Sequence, residues 1–303
     1  MQSYNWSQDA MEAGEQIDWN QAYWKRTIAE RIRQEFDKYL LAHAEDGFRS
    51  HLGWSIIGHS CMRYLWYSFR WFKQDVHSAR MLEIFNEGHR EEAKIRKLMT
   101  ACGAKFLDTV DVDGVQVMVS DIGGHFGGSC DGVFVWPAMG ITEPCVLECK
   151  TSKQNTEFNN LMENKDTLSG AKPQHYVQAN GYAYNLGIKM ILYACRNKND
   201  SRLYTEIVEV EAKVAIENRN KALHIITTKD VPNKISKKRN YWVCNMCSMQ
   251  DVCHDHVQVV PNCRNCKHST PVENGQWQCE VHQAIIPKEF WIQGCNQHET
   301  LPY

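Results

Sequence analysis

The chain carries no long apolar run and no segment shaped like a secretory leader, so neither a membrane span nor export is expected. It has no low-complexity tract and no visible repeat. It has no excess of positive charge either: 34 Lys and Arg face 36 Asp and Glu, a formal net of −2. Contact with a polyanion therefore has to be local. The phosphate loop Gly-x4-Gly-Lys-Ser/Thr of helicases is missing as well. Cysteine is abundant instead, with thirteen in the chain. Without an export signal, that abundance points to a reducing cytoplasm and to metal ligation rather than disulfides. At 303 residues and 43% hydrophobic content, one sizeable core with appendages is expected.

The chemistry concentrates in the middle of the chain. Residues 114–119 and 132–136 are short apolar or alternating runs separated by Gly123, Gly124, Gly127 and Gly128, and read as paired strands with a glycine-rich turn. A further strand runs from Pro144 into Glu148-Cys149-Lys150. Period-2 alternation puts Glu148 and Lys150 on one face and Cys149 on the other. With the strand at Asp131 beside it, two carboxylates and an ammonium converge. A divalent cation removes their repulsion, and Asp, Glu and a backbone carbonyl such as that of Cys149 suit Mg²⁺ or Mn²⁺. Such an ion activates water and neutralises phosphate charge, which is phosphodiester hydrolysis chemistry. A lone Glu-x-Lys is ordinarily a solvated ion pair. Here a helix over 173–186 follows, with Gln178 and Tyr182 four apart on one face, suited to lie over the sheet.

Asp131, Glu148-x-Lys150 and Gln178-x3-Tyr182 together resemble the motifs of the RecB-like branch of the PD-(D/E)xK nuclease superfamily, over roughly residues 52–253. The resemblance implies an α/β restriction-endonuclease-like core, a mixed central sheet flanked by helices. It implies that Asp131 and Glu148 bind metal, that Lys150 assists the attacking water, and that Gln178 and Tyr182 position the phosphate or the lysine. It also implies an acidic residue or histidine from an earlier helix, for which Glu92 and His89 are the candidates. The chain departs from the pattern at Ser129-Cys130, where the family has a proline before the aspartate.

Seven cysteines follow residue 240. Cys244-x2-Cys247-x5-Cys253 is similar to the carboxy-terminal trio of iron–sulfur members of that branch, and Cys61, followed by Arg63, Leu65 and Trp66, is similar to their upstream ligand. A [4Fe-4S] cluster on these four would clasp the two ends of the core. Cys263-x2-Cys266-x12-Cys279-x15-Cys295 reads as a zinc-ribbon-like site, which would stabilise a tail too short and polar to fold on its own core. Both sets have four thiolates, so spacing alone does not choose between zinc and iron–sulfur. The expected division is a helical segment at 1–50, a nuclease core at 51–256 and a cysteine-rich metal-binding tail at 257–303.

The polar opening, residues 1–20, has scattered aromatics and is expected to be mobile. Residues 24–41 and 76–99 read as helices, the first with Ile28, Ile32, Phe36 and Leu40 on a stripe expected to be core. Segments 189–195 and 203–210 flank Asn197-Lys198-Asn199-Asp200 as a hairpin, and 212–227 reads as a helix. Lys237, Lys238 and Arg239 precede Tyr241-Trp242, cations and rings that suit phosphate and an unpaired base; the same stretch reads equally as a solvated linker.

The leading expectation is a DNA exonuclease acting 5′-to-3′ in recombination, repair, CRISPR adaptation or phage DNA processing, in the cytoplasm of a bacterium or of a phage-infected host. A recombinase, a single-strand-binding protein or a helicase are the partners to consider. One alternative is a catalytically silent iron–sulfur DNA-binding subunit, disfavoured by the intact motif. Another is a redox carrier, for which the sequence shows no docking surface. Nothing in the sequence marks an oligomer interface.

Overall fold

The structure is a computed structural model describing residues 22–44, 47–107, 117–153 and 155–303. The expected polar opening at 1–20 and residues 114–116 lie outside the described residues. The chain divides into two units, residues 1–45 with 77–84, and 46–76 with 85–303. In the first, α1 (Ala22–Ala42) covers the expected helix. Its stripe is not core, because Ile32 is 48% and Phe36 65% exposed. Helical periodicity creates an apolar face without supplying anything to cover it.

The second unit contains β1 (Leu52–Gly53), α2 (Trp54–Ile57) and α3 (Met62–Phe69), then the part of α4 (Ala79–Ala101) from Phe85 onward. Five strands follow: β2 (Lys105–Phe106), β3 (Val117–Asp121), β4 (Phe126–Cys130), β5 (Gly132–Trp136) and β6 (Ile141–Ser152). Helices α5 (Asn155–Met162), α6 (Leu168–Ala171) and α7 (Pro173–Asn185) lead to β7 (Met190–Asn197), β8 (Leu203–Glu209) and α8 (Ala212–Thr227). Short elements complete the chain: α9 (Trp242–Asn245), α10 (Gln250–His254), β9 (Ser269–Pro271), β10 (Trp277–Cys279) and β11 (Ala284–Ile285).

The central sheet is mixed, in the order β2-β5-β6-β7-β8. Its parallel pair, β6 with β7, needs a long crossover, and α5 to α7 provide it. Alternation along β6 divides the core. Val146, with Ile191 and Tyr193 of β7, faces one apolar cluster, while Cys145 and Leu147 face a second that includes Ile95 and Met99 of α4. Apolar residues on both faces are what a sheet covered by helices on both sides requires.

One expected pairing is corrected. The strand at 117–121 does not pair with 132–136. The glycine-rich segment between them holds a strand of its own, β4, which pairs antiparallel with β3 and parallel with β1, while β5 joins β2 and β6 in the other sheet. Glycine permits this: Cβ atoms on Gly127 would strike the Val119 carbonyl across the ladder.

The tail shares the main core, where Trp277, Trp291 and Leu301 join Trp54, Trp66 and Phe126. Two guanidinium groups, of Arg70 and Arg264, are buried in the join without a carboxylate. Arg264 donates to the carbonyls of Phe69 (2.6 Å) and Ser50 (2.9 Å) and lies 4.3 Å from the Trp71 ring centroid and 4.7 Å from that of Trp277. Arg70 donates to the carbonyls of Thr228 (3.2 Å) and Ser269 (3.3 Å). The delocalised charge of arginine tolerates aromatic walls and carbonyl acceptors better than an ammonium would.

Candidate functional site

Asp131 stands where the chain leaves β4 for β5, between the two sheets. The next residue, Gly132, has φ +153°, and the Arg96 guanidinium and Phe106 ring fill the place of its missing side chain. Arg96 Nη1 donates to the Asp131 carbonyl at 2.6 Å, which fixes the peptide. The Cys149 backbone N–H donates to Asp131 Oδ2 at 2.5 Å, so strand β6 orients the carboxyl.

Glu148 precedes that amide and is 0% exposed. Its Oε1 accepts from the Lys150 ammonium, and its Oε2 is buried with no hydrogen-bond partner. Helix α7 starts with Pro173 in its first turn and lays Gln178 and Tyr182 into the interior, with Gln178 Nε2 3.4 Å from Tyr182 Oη. Gly128 gives the ring its room, since a Cβ there would stand 2.8 Å from the hydroxyl.

The charges are felt strongly in this enclosed space. Burial raises the proton affinity of Glu148, Lys150 opposes this and Asp131 adds to it, leaving the carboxyl at about 8. Burial also raises Asp131 against the pull of Lys150. For Lys150, burial works against the charge, but Glu148 and Asp131 hold the ammonium above its ordinary range. Burial and Glu148 push the Tyr182 phenol up, so it stays a neutral hydroxyl. The pocket keeps one firm positive charge and resists two negative ones.

His89 and Glu92 lie one turn apart on α4, 3.8 Å from each other. Glu92 raises the proton affinity of Glu148 and His89 lowers that of Asp131, so both act on the same pocket. Five expected site residues from β6, α7 and the β4–β5 junction are thus brought together, with the two α4 candidates alongside.

Three neighbours were not singled out from the sequence. Arg96 is one. Tyr193 sits opposite Glu148 in the parallel register, and His175 on α7 bonds its hydroxyl at 2.9 Å. Burial, Lys150 and Lys172 lower His175 to about 3, which keeps the imidazole neutral. His175 lies one turn before Gln178, so helical spacing from the motif was the available signal.

Both cysteine quartets are gathered. Cys61, Cys244, Cys247 and Cys253 line one pocket, and burial, Cys61, Cys253 and Cys244 together push the Cys247 thiol to about 11. Cys263, Cys266, Cys279 and Cys295 line another, where burial and the other three thiols raise Cys263 to about 11. None of the thirteen cysteines forms a disulfide. Among the described residues, no three His, Cys, Asp or Glu side chains already stand in a geometry that could hold a metal ion.

The basic stretch is divided. Arg239 is committed to Asp255, with Nε–Oδ1 and Nη2–Oδ2 both at 2.9 Å. Lys237 and Lys238 are exposed, next to Trp242 at 69% exposure.

No family model matches the chain, and no curated protein matches it. Among solved structures it is similar to the alkaline exonuclease LHK-Exo from Laribacter hongkongensis, with 14% identity over 63% of this chain and 90% of that one and a TM-score of 0.41. The same enzyme in complex with dAMP gives a TM-score of 0.42. It is also similar to a phage-related exonuclease from Haemophilus somnus 129PT, with 12% identity over 54% of this chain and 76% of that one and a TM-score of 0.36. No described helix is long and apolar enough to cross a membrane.

The raised Glu148 has a consequence for stability. Its folded proton affinity, at about 8, lies above the ordinary 4.5, so the native state holds a proton that the unfolded chain releases. The contribution of Glu148 to stability is then full below pH 4.5 and is lost as pH rises through 8, by at most ~1.4 kcal/mol per pH unit. Urea unfolding from pH 5 to 8, without added divalent cation, should show that fall, and Glu148→Gln should remove its share of the slope. An unchanged slope in the variant would exclude Glu148 as its source.

Proposed function

We propose that the chain is a divalent-metal-dependent deoxyribonuclease of the PD-(D/E)xK type that degrades DNA from its ends. The observation that carries this reading is Glu148, wholly buried beside Asp131 with one oxygen unpartnered and a single ammonium as countercharge. A wholly buried carboxyl with a second carboxyl at its side is costly unless a cation joins them. Oxygen donors from Asp131, Glu148 and the Cys149 carbonyl, with Glu92 or His89 alongside, fit Mg²⁺ or Mn²⁺. When bound, such an ion supplies charge neutralisation at phosphate and a more acidic water.

The chain's own residues do the positioning. The Cys149 amide and the Arg96 guanidinium keep Asp131 in place. Lys150, kept as an ammonium by Glu148 and Asp131, is a proton donor rather than a base, suited to orient the attacking water and to stabilise negative charge as it develops. Tyr182 and Gln178, neutral and packed over the strand, place the phosphate or the lysine. Preference for ends, 5′-to-3′ direction and a role in recombination, repair or phage DNA processing rest on the motif resemblance.

The four thiols of Cys61, Cys244, Cys247 and Cys253 line one pocket and are the donor set of an iron–sulfur cluster, which on drawing them into ligand geometry would tie α3 to the 244–253 segment. Those of Cys263, Cys266, Cys279 and Cys295 fit zinc, which would contribute folding energy to the tail. Anaerobically purified protein should contain both iron and zinc. Cys61→Ala should lose iron and the broad visible absorption while keeping zinc, and Cys279→Ser the reverse. Loss of the same metal in both variants would refute the assignment.

Cleavage is tested with end-labelled linear single- and double-stranded DNA beside a closed circle, in Mg²⁺, Mn²⁺ or EDTA. Linear DNA should be degraded, EDTA should stop it, and Glu148→Ala or Lys150→Ala should lower the rate by about 10³-fold or more. Full activity in either variant would contradict the site. Cutting of the circle would make the protein an endonuclease, and no cleavage with both metals present would favour a DNA-binding subunit.

A further inference from the structure

The loop that feeds β4 is strained, and the tail holds it. Ile122, Gly123 and Gly124 have φ of 49°, 61° and 85°, three left-handed residues in succession. A β-branched residue such as Ile122 rarely takes that conformation, which persists only where its surroundings impose it. On one side Asp121 does so: its carboxylate accepts from the Ile122 amide at 2.6 Å and is forked by Arg219 of α8 at 2.5 and 2.9 Å. On the other side stands the turn between β9 and β10.

That turn has Asn274 and Gly275 at φ 63° and 67°, both left-handed as a tight hairpin turn requires. The Gly275 amide donates to the Gly123 carbonyl at 2.6 Å. Beside it, His125 Nε2 is 2.7 Å from the Val272 carbonyl, and the His125 ring meets Trp277 edge-on at 5.6 Å. The fit is close, since a Cβ on Gly124 would stand 2.6 Å from the Gly275 amide nitrogen. From His125, five residues of β4 lead directly to Asp131 and pass Gly128, the seat of the Tyr182 hydroxyl.

We propose that the Asn274–Gly275 turn of the cysteine-rich tail is a positioning element of the catalytic pocket. By seating the Ile122–Gly124 loop it sets β4 along its length, and with it the placement of Gly128 under Tyr182 and of Asp131 against the Cys149 amide. The role given to Asp131 rests on the nuclease reading. The mechanical link does not, because it is read from hydrogen bonds alone: Gly275 N–H to the Gly123 carbonyl and His125 to the Val272 carbonyl at the tail end, and Cys149 N–H to Asp131 Oδ2 at the pocket end.

Gly124→Ala tests it, with Gly140→Ala as the control. Both glycines are left-handed, at φ 85° and 77°, but a Cβ on Gly140 meets nothing within 4 Å. The two variants therefore share the backbone strain, and only the first unseats the tail turn. Gly124→Ala should lower kcat about tenfold or more with KM for DNA within about twofold, because misplacement of a reacting group acts on the chemical step. Hydrogen–deuterium exchange over residues 145–152 should quicken about tenfold in the same variant. Gly140→Ala should change neither. Should Gly124→Ala fail to fold, His125→Phe, which removes the bond to Val272, is expected to show the same pair of changes.

Wild-type exchange over 145–152 in a folded Gly124→Ala would overturn the proposal, as would equal effects from Gly140→Ala. If the wild-type protein cleaves nothing, the exchange measurement still decides the link, and only the nuclease reading falls.

Discussion

The structure depends on one unfavourable juxtaposition: Glu148, without solvent contact, beside the half-buried carboxyl of Asp131, with Lys150 as their shared countercharge. A protein without use for this arrangement would be more stable with apolar residues of the same volume. Its cost is met by precise support. Arg96 and the Cys149 amide hold Asp131 from two directions, and α7 closes the pocket with a neutral phenol and a carboxamide. Each of these groups stabilises negative charge or excludes water, which is what the proposed cation and phosphate site needs.

The fold is arranged around that pocket. The β6–β7 parallel pair sets Glu148 and Lys150 on the face that α7 covers, and the change of sheet between β4 and β5 brings Asp131 to their side. The two cysteine quartets lie at the ends of the path. Cys61 precedes α3, whose far end carries Arg70 into the join with the tail, and Arg264 enters that join from between Cys263 and Cys266. Helix α3 therefore links the two thiol pockets through a shared aromatic core.

Much of this was legible in the sequence. The strand at 132–136, the helix at 212–227 and α7 fell where alternation, helical spacing and Pro173 placed them, because those local signals agree with the packing they meet. The glycine-rich segment was misread as a turn, since strand propensity is weak for Phe126-Gly127-Gly128 and the pairing of β4 is set by close backbone approach that no side-chain pattern reports. The stripe of α1 reads as core but is exposed at Ile32 and Phe36, because amphipathicity does not say whether a partner exists. Arg96 and Tyr193 escape a sequence reading because their contacts to the site cross between elements, where periodicity is silent, whereas His175 lies within reach of helical spacing from Gln178.

The most direct test of the central claim is Mn²⁺ binding to the purified protein, followed by electron paramagnetic resonance in the absence of DNA. The account predicts a bound-ion signal that Asp131→Asn and Glu148→Gln each weaken by about 100-fold in affinity, while Cys279→Ser leaves it in place. Equal Mn²⁺ affinity in wild type and Glu148→Gln would contradict it, and the buried carboxyls would then need another explanation.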